Sequence, residues 1–228
     1  MTVAKKFTSF DQRKKLLKKI IPILENNNIG YWLEFGTLLG LIREKGFIKW
    51  DSDIDMGTFD FEKLYKMREQ FKKQGLQTEI LYDYTNDMAS IFRIRDNNNV
   101  FHAEICQFTK LKEGAIIKTV RYNTIISKIF RTAYNILRRH EITVNIFSKT
   151  AIFFSNKRIF IYPRIKVKDA IFYTIGVKIP ANPENHLRLM YGDTWRTPTK
   201  EDIAGKQFII EQQKKLTIYK LPDKRVNK

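Results

Sequence analysis

The sequence predicts a mixed α/β fold, and three observations carry that prediction. A leading amphipathic stripe (Leu16, Leu17, Ile20, Ile21, Leu24) has helical spacing, with lysines between its apolar positions. Short apolar runs then alternate with helical segments up to Gln74. Three strand-like runs follow without an intervening helix: QTEILY, ASIFRIR and VFHAEICQF. The order of the first half is therefore β-α-β-α-β-β-β behind a leading helix.

Each element follows from local chemistry. Pro22 lies inside the first helical pattern and is expected to kink or split it. Asn26 to Asn28 stop it. IGYWLEFG (Ile29 to Gly36) reads as a short strand, Thr37 to Arg43 as a helical turn, and DSDIDMG (Asp51 to Gly57) as a second strand. Asp60 to Gln74 reads as a helix with Leu64, Met67 and Phe71 on one side. RDNNN (Arg95 to Asn99) is a hairpin turn between the last two strands.

Composition limits the function classes. With 43% hydrophobic and 13% aromatic residues in 228, the chain has enough apolar material for a core. Its single cysteine, Cys106, excludes an intramolecular disulfide, fits a reducing compartment, and reads as a buried small side chain. No secretory leader and no membrane-spanning run is visible, which predicts a soluble or peripheral protein. The formal net charge of +18 favours polyanionic partners: phosphate-rich substrates, anionic lipid or nucleic acid.

Against that charge, Asp51, Asp53 and Asp55 stand at alternate positions. In a strand they share one face, with neighbouring carboxylates roughly 6–7 Å apart, while Ile54 and Met56 enter the core. Such carboxylates repel, which suits a divalent cation, Mg²⁺ or Mn²⁺; a solvated strand face is the alternative. Gly36-Thr37 ends a strand and opens a helix, where a phosphate approaches easily. Glu104, between apolar neighbours, needs a partner: a cation shared with Asp53 and Asp55, or Arg93. His102 shares its strand face and reads as structural more readily than as a cleft residue.

GTLLGLIREKGFIKWDSDIDMG resembles the signature of the LicD/fukutin family, and VKIPANPENHLRLMYGDTWRTP (Val177 to Pro198) resembles that family's closing element. The resemblance implies a nucleotidyltransferase fold with a mixed sheet flanked by helices. It implies Mg²⁺-dependent transfer of a phospho-alcohol, such as phosphocholine, ribitol phosphate or glycerol phosphate, from a CDP-alcohol donor to a cell-surface glycan, with release of CMP. Asp53 and Asp55 correspond to the metal pair and Glu104 to the third acid, which makes these three the candidate catalytic and metal-binding residues. Gly36, Thr37, Arg43, Lys45, Asp51 and Arg93 are candidates for binding donor phosphate. Tyr191, Gly192, Asp193 and Trp195 are candidates for a substrate pocket, or for a helix end packed on the core. Lys49, Ser52 and Glu104 depart from the usual Pro, Asp and Asp.

Residues 1–114 are expected to form the catalytic core, and residues 115–228 a basic, partly helical segment with family-specific elements that complete the same domain. Between Ala115 and Arg164, ten Lys and Arg face one acid, Glu141. TIISKIFRTAYNILRRH (Thr124 to His140) has a helical apolar stripe with basic flanks, suited to an anionic membrane surface or to packing on the core. A lipid-linked glycan acceptor and a peripheral site on the cytoplasmic face of the membrane fit that charge. The alternatives are a transferase using NTPs on RNA, which the Leu-Gly-x-x-Arg and Tyr-Gly-Asp elements disfavour, and a non-catalytic membrane-binding module.

Overall fold

The structure, a computed structural model, describes residues 9–82, 90–96, 101–112, 114–121 and 156–198. The leading helix α1 (Ser9–Asn26) runs through Pro22 without a break. Proline removes one backbone hydrogen bond, but Pro22 lies on the exposed side, while buried Ile20, Ile21, Ile23 and Leu24 hold the same turns against the core. Strand β1 (Tyr31–Leu33) is followed by the five-residue helix α2 (Phe35–Leu39), a π-helical turn (Gly40–Glu44) and strand β2 (Asp53–Thr58). The helix expected over Asp60 to Gln74 is two, α3 (Phe61–Lys66) and α4 (Arg68–Lys73), separated at Met67. No Gly or Pro marks that break. Strands β3 (Leu76–Tyr82), β4 (Ser90–Asp96) and β5 (His102–Gln107) complete the expected order.

These strands form one mixed sheet in the order β1-β2-β5-β4-β3, in which only β2 and β5 run parallel. Register and the two-residue period separate its faces. Ile54, Met56, Ala103, Ile105, Phe92 and Ile94 point to one side and are fully buried with Leu16, Leu17, Ile20, Leu64 and Phe71 from the helices. On the other side two rows cross the sheet: Asp55, Glu104, Arg93, Glu79 and, one pleat away, Asp53, His102, Arg95, Gln77.

The lower part of that polar side is closed by a second cluster of Trp32, Cys106, Phe108, Ala115, Tyr162 and Met190. Trp32 lies so close over Gly57 that a Cβ there would meet its ring nitrogen at 2.7 Å. Cys106 is buried, as expected, and burial holds its thiol well above the ordinary range. Further on, β6 (Thr109–Lys110), β7 (Gly114–Arg121) and β8 (Asn156–Pro163) form a second sheet, and β9 (Val167–Phe172) and β10 (Ile175–Pro180) a hairpin. Helix α5 (Pro183–Tyr191) follows, with the Asn182 side chain accepting from the Asn185 N–H at 3.2 Å. The described ends of the basic segment are thus strands; its expected helix, Thr124 to His140, lies outside the described residues. Among the described residues no helix is long and apolar enough to cross a membrane.

Candidate active site

The Gly-Thr step and the acidic strand are locked together by backbone bonds. The Thr37 hydroxyl accepts the Asp55 N–H at 2.8 Å, and the Glu34 N–H donates to the Asp55 carbonyl at 3.0 Å. Thr37 is buried, and its hydroxyl sets Asp55. Phe35 takes a left-handed φ of 45° at this strand-to-helix corner, a strained conformation for an aromatic residue. A Cβ on Gly36 would overlap Asp51 Oδ2 and stand 3.7 Å from Asp55 Oδ2, so the missing side chain makes room for a carboxylate. Gly36→Ala is therefore expected to leave the fold intact but displace Asp51, weakening divalent-cation binding by about ten- to a hundredfold, as read by titration calorimetry with Mn²⁺. Unchanged affinity would remove Asp51 from the site.

Asp51 is not on the strand. β2 begins at Asp53, and Asp51 closes a turn in which its N–H donates to the Ile48 carbonyl at 3.2 Å. That frees its carboxylate to lean inward, and single oxygens of Asp51, Asp53 and Asp55 lie within 4.8 Å of one another. The spacing is tighter than a regular strand face allows. The electrostatic consequences follow. Burial, a hydrogen bond with Asp53 and the charge of Asp53 push Asp51 up to about 7, against the Ser52 N–H and Arg13. Burial and the charges of Asp53, Asp51, Glu104 and Glu34 hold Asp55 well above the usual carboxylate range.

Glu104 meets Arg93, one of its two expected partners, and also His102. Arg93 donates to Oε1 from Nε at 2.9 Å and Nη2 at 2.6 Å. His102 Nε2 stands 3.3 Å from the same oxygen and 3.9 Å from Asp53 Oδ2. Burial raises the Glu104 carboxyl, but hydrogen bonds from His102 and Arg93, with the Arg93 charge, outweigh it and leave the group below its ordinary value. Asp53, His102 and Glu104 form a second group of ligand-type atoms within 4.8 Å. His102, read from sequence as structural, thus belongs to the acidic face.

The other expected residues make contacts of their own. The Arg43 side chain is largely buried; its Nη1 donates to the Trp195 carbonyl at 3.1 Å and its Nε pairs with Glu44 at 2.7 Å, so it ties the two signature stretches together. Lys45 is exposed, with φ 55°, and donates to the Ile42 carbonyl. Tyr191 ends α5, partly buried against both clusters, and Gly192 terminates the helix at φ 82°. Asp193 is exposed beside Arg188. Trp195 is buried in the main core, against which Tyr191 at the helix end also packs.

Three residues escaped sequence reasoning. Glu34 is fully buried, accepts from the Trp32 indole N–H, and meets His186 Nε2 at 2.8 Å across 152 residues. His186 in turn stacks on Tyr162 at 4.8 Å. Arg13 is buried beneath the Asp51 turn. The signals were present: one acid in the apolar YWLEF, and one cation on the stripe of Leu16 and Leu17.

Residues 28–135 match the family described as LicD/FKTN/FKRP, nucleotidyltransferase domain. A lipopolysaccharide cholinephosphotransferase, LicD, of Haemophilus influenzae is 39% identical over 79 residues, 32% of this chain and 30% of the relative. The ribitol 5-phosphate transferase FKRP of Homo sapiens is 37% identical over 46 residues, 20% of this chain and 9% of the relative. An uncharacterised protein of Rickettsia typhi is 40% identical over 63 residues, 27% of this chain and 20% of the relative. The chain spans less than a third of the length of each of these relatives. Among solved structures, ANT(2")-Ia in complex with adenylyl-2"-tobramycin overlaps 58% of this chain and 86% of that one, at 14% identity and a TM-score of 0.35. The stretch that brings the acidic strand, the Gly-Thr corner and Glu104 together lies inside residues 28–135, the part of the chain that is similar to the LicD/FKTN/FKRP nucleotidyltransferase domain.

Proposed function

We propose that this protein transfers a phospho-alcohol from a CDP-alcohol to a hydroxyl of a cell-surface glycan, releasing CMP. The observation that carries the reading is the convergence of Asp51, Asp53 and Asp55 with Glu104 and His102 on one sheet face, inside the part of the chain that is similar to the LicD/FKTN/FKRP nucleotidyltransferase domain. The printed activities of two relatives, cholinephosphotransferase and ribitol 5-phosphate transferase, fit the reaction class.

The residues fit a divalent cation, Mg²⁺ or Mn²⁺. Asp55 is a partly buried carboxylate whose proton affinity is raised by desolvation and by four neighbouring acids, a charge arrangement that a cation relieves. Asp53, Asp55 and Glu104 would hold it, with Asp51 beside them, and when bound it would neutralise donor phosphate and the leaving group. Arg93 orients Glu104 through two hydrogen bonds to one oxygen, which leaves the other for a ligand or for the acceptor's proton. Thr37 and Glu34 keep Asp55 in place. In this reading Arg43 and Lys45 border the donor's phosphates, and the basic surface draws the protein to the cytoplasmic face of an anionic membrane that carries a lipid-linked acceptor.

His102 adds a nitrogen beside the carboxylates, and imidazole suits Mn²⁺ better than Mg²⁺. His102→Gln is expected to weaken Mn²⁺ binding by about tenfold while changing Mg²⁺ binding less. Equal losses for both ions would remove the nitrogen from the site. The test of the whole reading is CMP release from CDP-choline, CDP-ethanolamine, CDP-glycerol and CDP-ribitol with candidate glycans. Absence of release, together with absence of cation-dependent donor binding, would end it.

A further inference from the structure

Arg13 is fully buried and lies one turn before Leu16 and Leu17 on the apolar stripe of α1. Its guanidinium carbon is 4.6 Å from the ring centre of Phe47, 5.1 Å from that of Phe101 and 5.2 Å from that of Phe10. Inside this aromatic box Nη1 donates twice, to the Ile48 carbonyl at 3.1 Å and to the Asp51 carbonyl at 3.0 Å, while Nε and Nη2 have no hydrogen-bond partner. Burying a cation with unpaired donors is unfavourable, and three aromatic faces offset only part of that. A leucine or methionine would serve the stripe better. What the arginine adds is its grip on two carbonyls.

Those carbonyls belong to the first and last residues of the turn Ile48–Asp51, which is itself closed by the Asp51 N–H on the Ile48 carbonyl. On the inner side of the turn the Asp51 carboxylate fills the space left by Gly36. On the outer side Lys49 and Trp50 are exposed, Trp50 at 59%. No sheet ladder holds Asp51, and its neighbours Asp53 and Asp55 repel it. A restraint from outside the strand adds to the Asp51–Asp53 hydrogen bond in keeping the three carboxylates together.

We infer that Arg13 is a positioning residue for the acidic cluster: its aromatic box clamps the Ile48–Asp51 turn by both end carbonyls and so fixes Asp51 against Gly36. The link from this placement to cation binding rests on the function proposed above; the placement itself does not.

The test variant is Arg13→Met, which fills the box and removes both hydrogen bonds; replacing a buried charge by an apolar side chain of similar size is commonly tolerated. Hydrogen exchange over residues 48–53 is expected to quicken by about tenfold or more while α5 and β5 keep their protection. Acrylamide quenching of Trp50, readable because Trp32 and Trp195 are 2% and 4% exposed, is expected to rise. Mn²⁺ affinity, measured calorimetrically without donor, is expected to fall by about tenfold. In an Asp51→Ala background the same change at Arg13 is expected to add nothing to the loss. A folded Arg13→Met protein with wild-type exchange over 48–53, or additive losses in the double variant, would overturn the inference. If the wild type fails to bind Mn²⁺, the cation reading fails, and exchange alone decides on Arg13. Should Arg13→Met not fold, Arg13→Lys, with its charge kept and its fork of donors lost, is expected to loosen the same turn, and unchanged exchange there would overturn the inference.

Discussion

Asp55→Asn is expected to abolish turnover, by about three orders of magnitude or more, in a protein at least as stable as wild type. The side chain is partly buried, and desolvation together with Asp53, Asp51, Glu104 and Glu34 disfavours its charge. Asparagine keeps the shape, and the backbone bonds to Thr37 and Glu34 do not involve the side chain. Removing the charge relieves repulsion while deleting a cation ligand, so stability and activity should move apart. Thermal melting and CMP release on the same preparation check this. Retained turnover would remove Asp55 from the chemistry.

The same electrostatics fix a pH dependence of the cation-free protein. Asp51, raised from 3.8 to about 7, and Asp55, held well above the usual carboxylate range, bind protons more tightly folded than unfolded. Their contribution to stability is fully present below the unfolded value near 3.8 and is lost as pH rises toward 7 and beyond. Glu104, lowered below 4.5, acts in the opposite sense but in a more acidic window. The melting temperature is therefore expected to fall between about pH 5 and pH 8, to recover on addition of Mn²⁺ at the higher pH, and to slope less in Asp55→Asn. A flat profile would show that the acids are not crowded.

Glu34→Ala is expected to give the largest loss of stability among changes near the site, about 2–5 kcal/mol. One carboxylate accepts from the Trp32 indole and from His186, and its removal leaves both donors buried and unpaired. The consequences reach two elements. Trp32 covers Gly57 of β2, and His186 docks α5 through its stack on Tyr162. Urea denaturation checks the magnitude, and hydrogen exchange in α5 checks the route. Glu34→Gln, which keeps one acceptor, is expected to lose less. A loss in Glu34→Ala below about 1 kcal/mol would mean that the carboxylate does not tie α5 to the sheet.

Much of the fold and part of the site were legible because they depend on short-range periodicity. Alternation placed Ile54 and Met56 opposite Asp53 and Asp55, and Ala103 and Ile105 opposite His102 and Glu104; both separations hold in the sheet. Gly192 read as a helix stop and occupies a positive-φ cap. The break at Met67 was not legible, because no residue there forbids helix. The passage of α1 through Pro22 depended on packing rather than on local preference.

By itself, the sequence determined a mixed α/β order, an acidic strand face behind a Gly-Thr corner, and a buried cysteine. Tertiary structure alone decided which side chains join that face. β5 lies parallel to β2 and between β2 and β4, which sets Glu104 and His102 beside Asp55 and Asp53 and brings Arg93 to Glu104. Asp51 joins from a turn held by Arg13, and His186 reaches Glu34 from the far end of the chain. The physical reason is range: backbone periodicity acts over a few residues, whereas the meeting of buried charges depends on strand order and on the unfavourable burial of any polar group left without a partner.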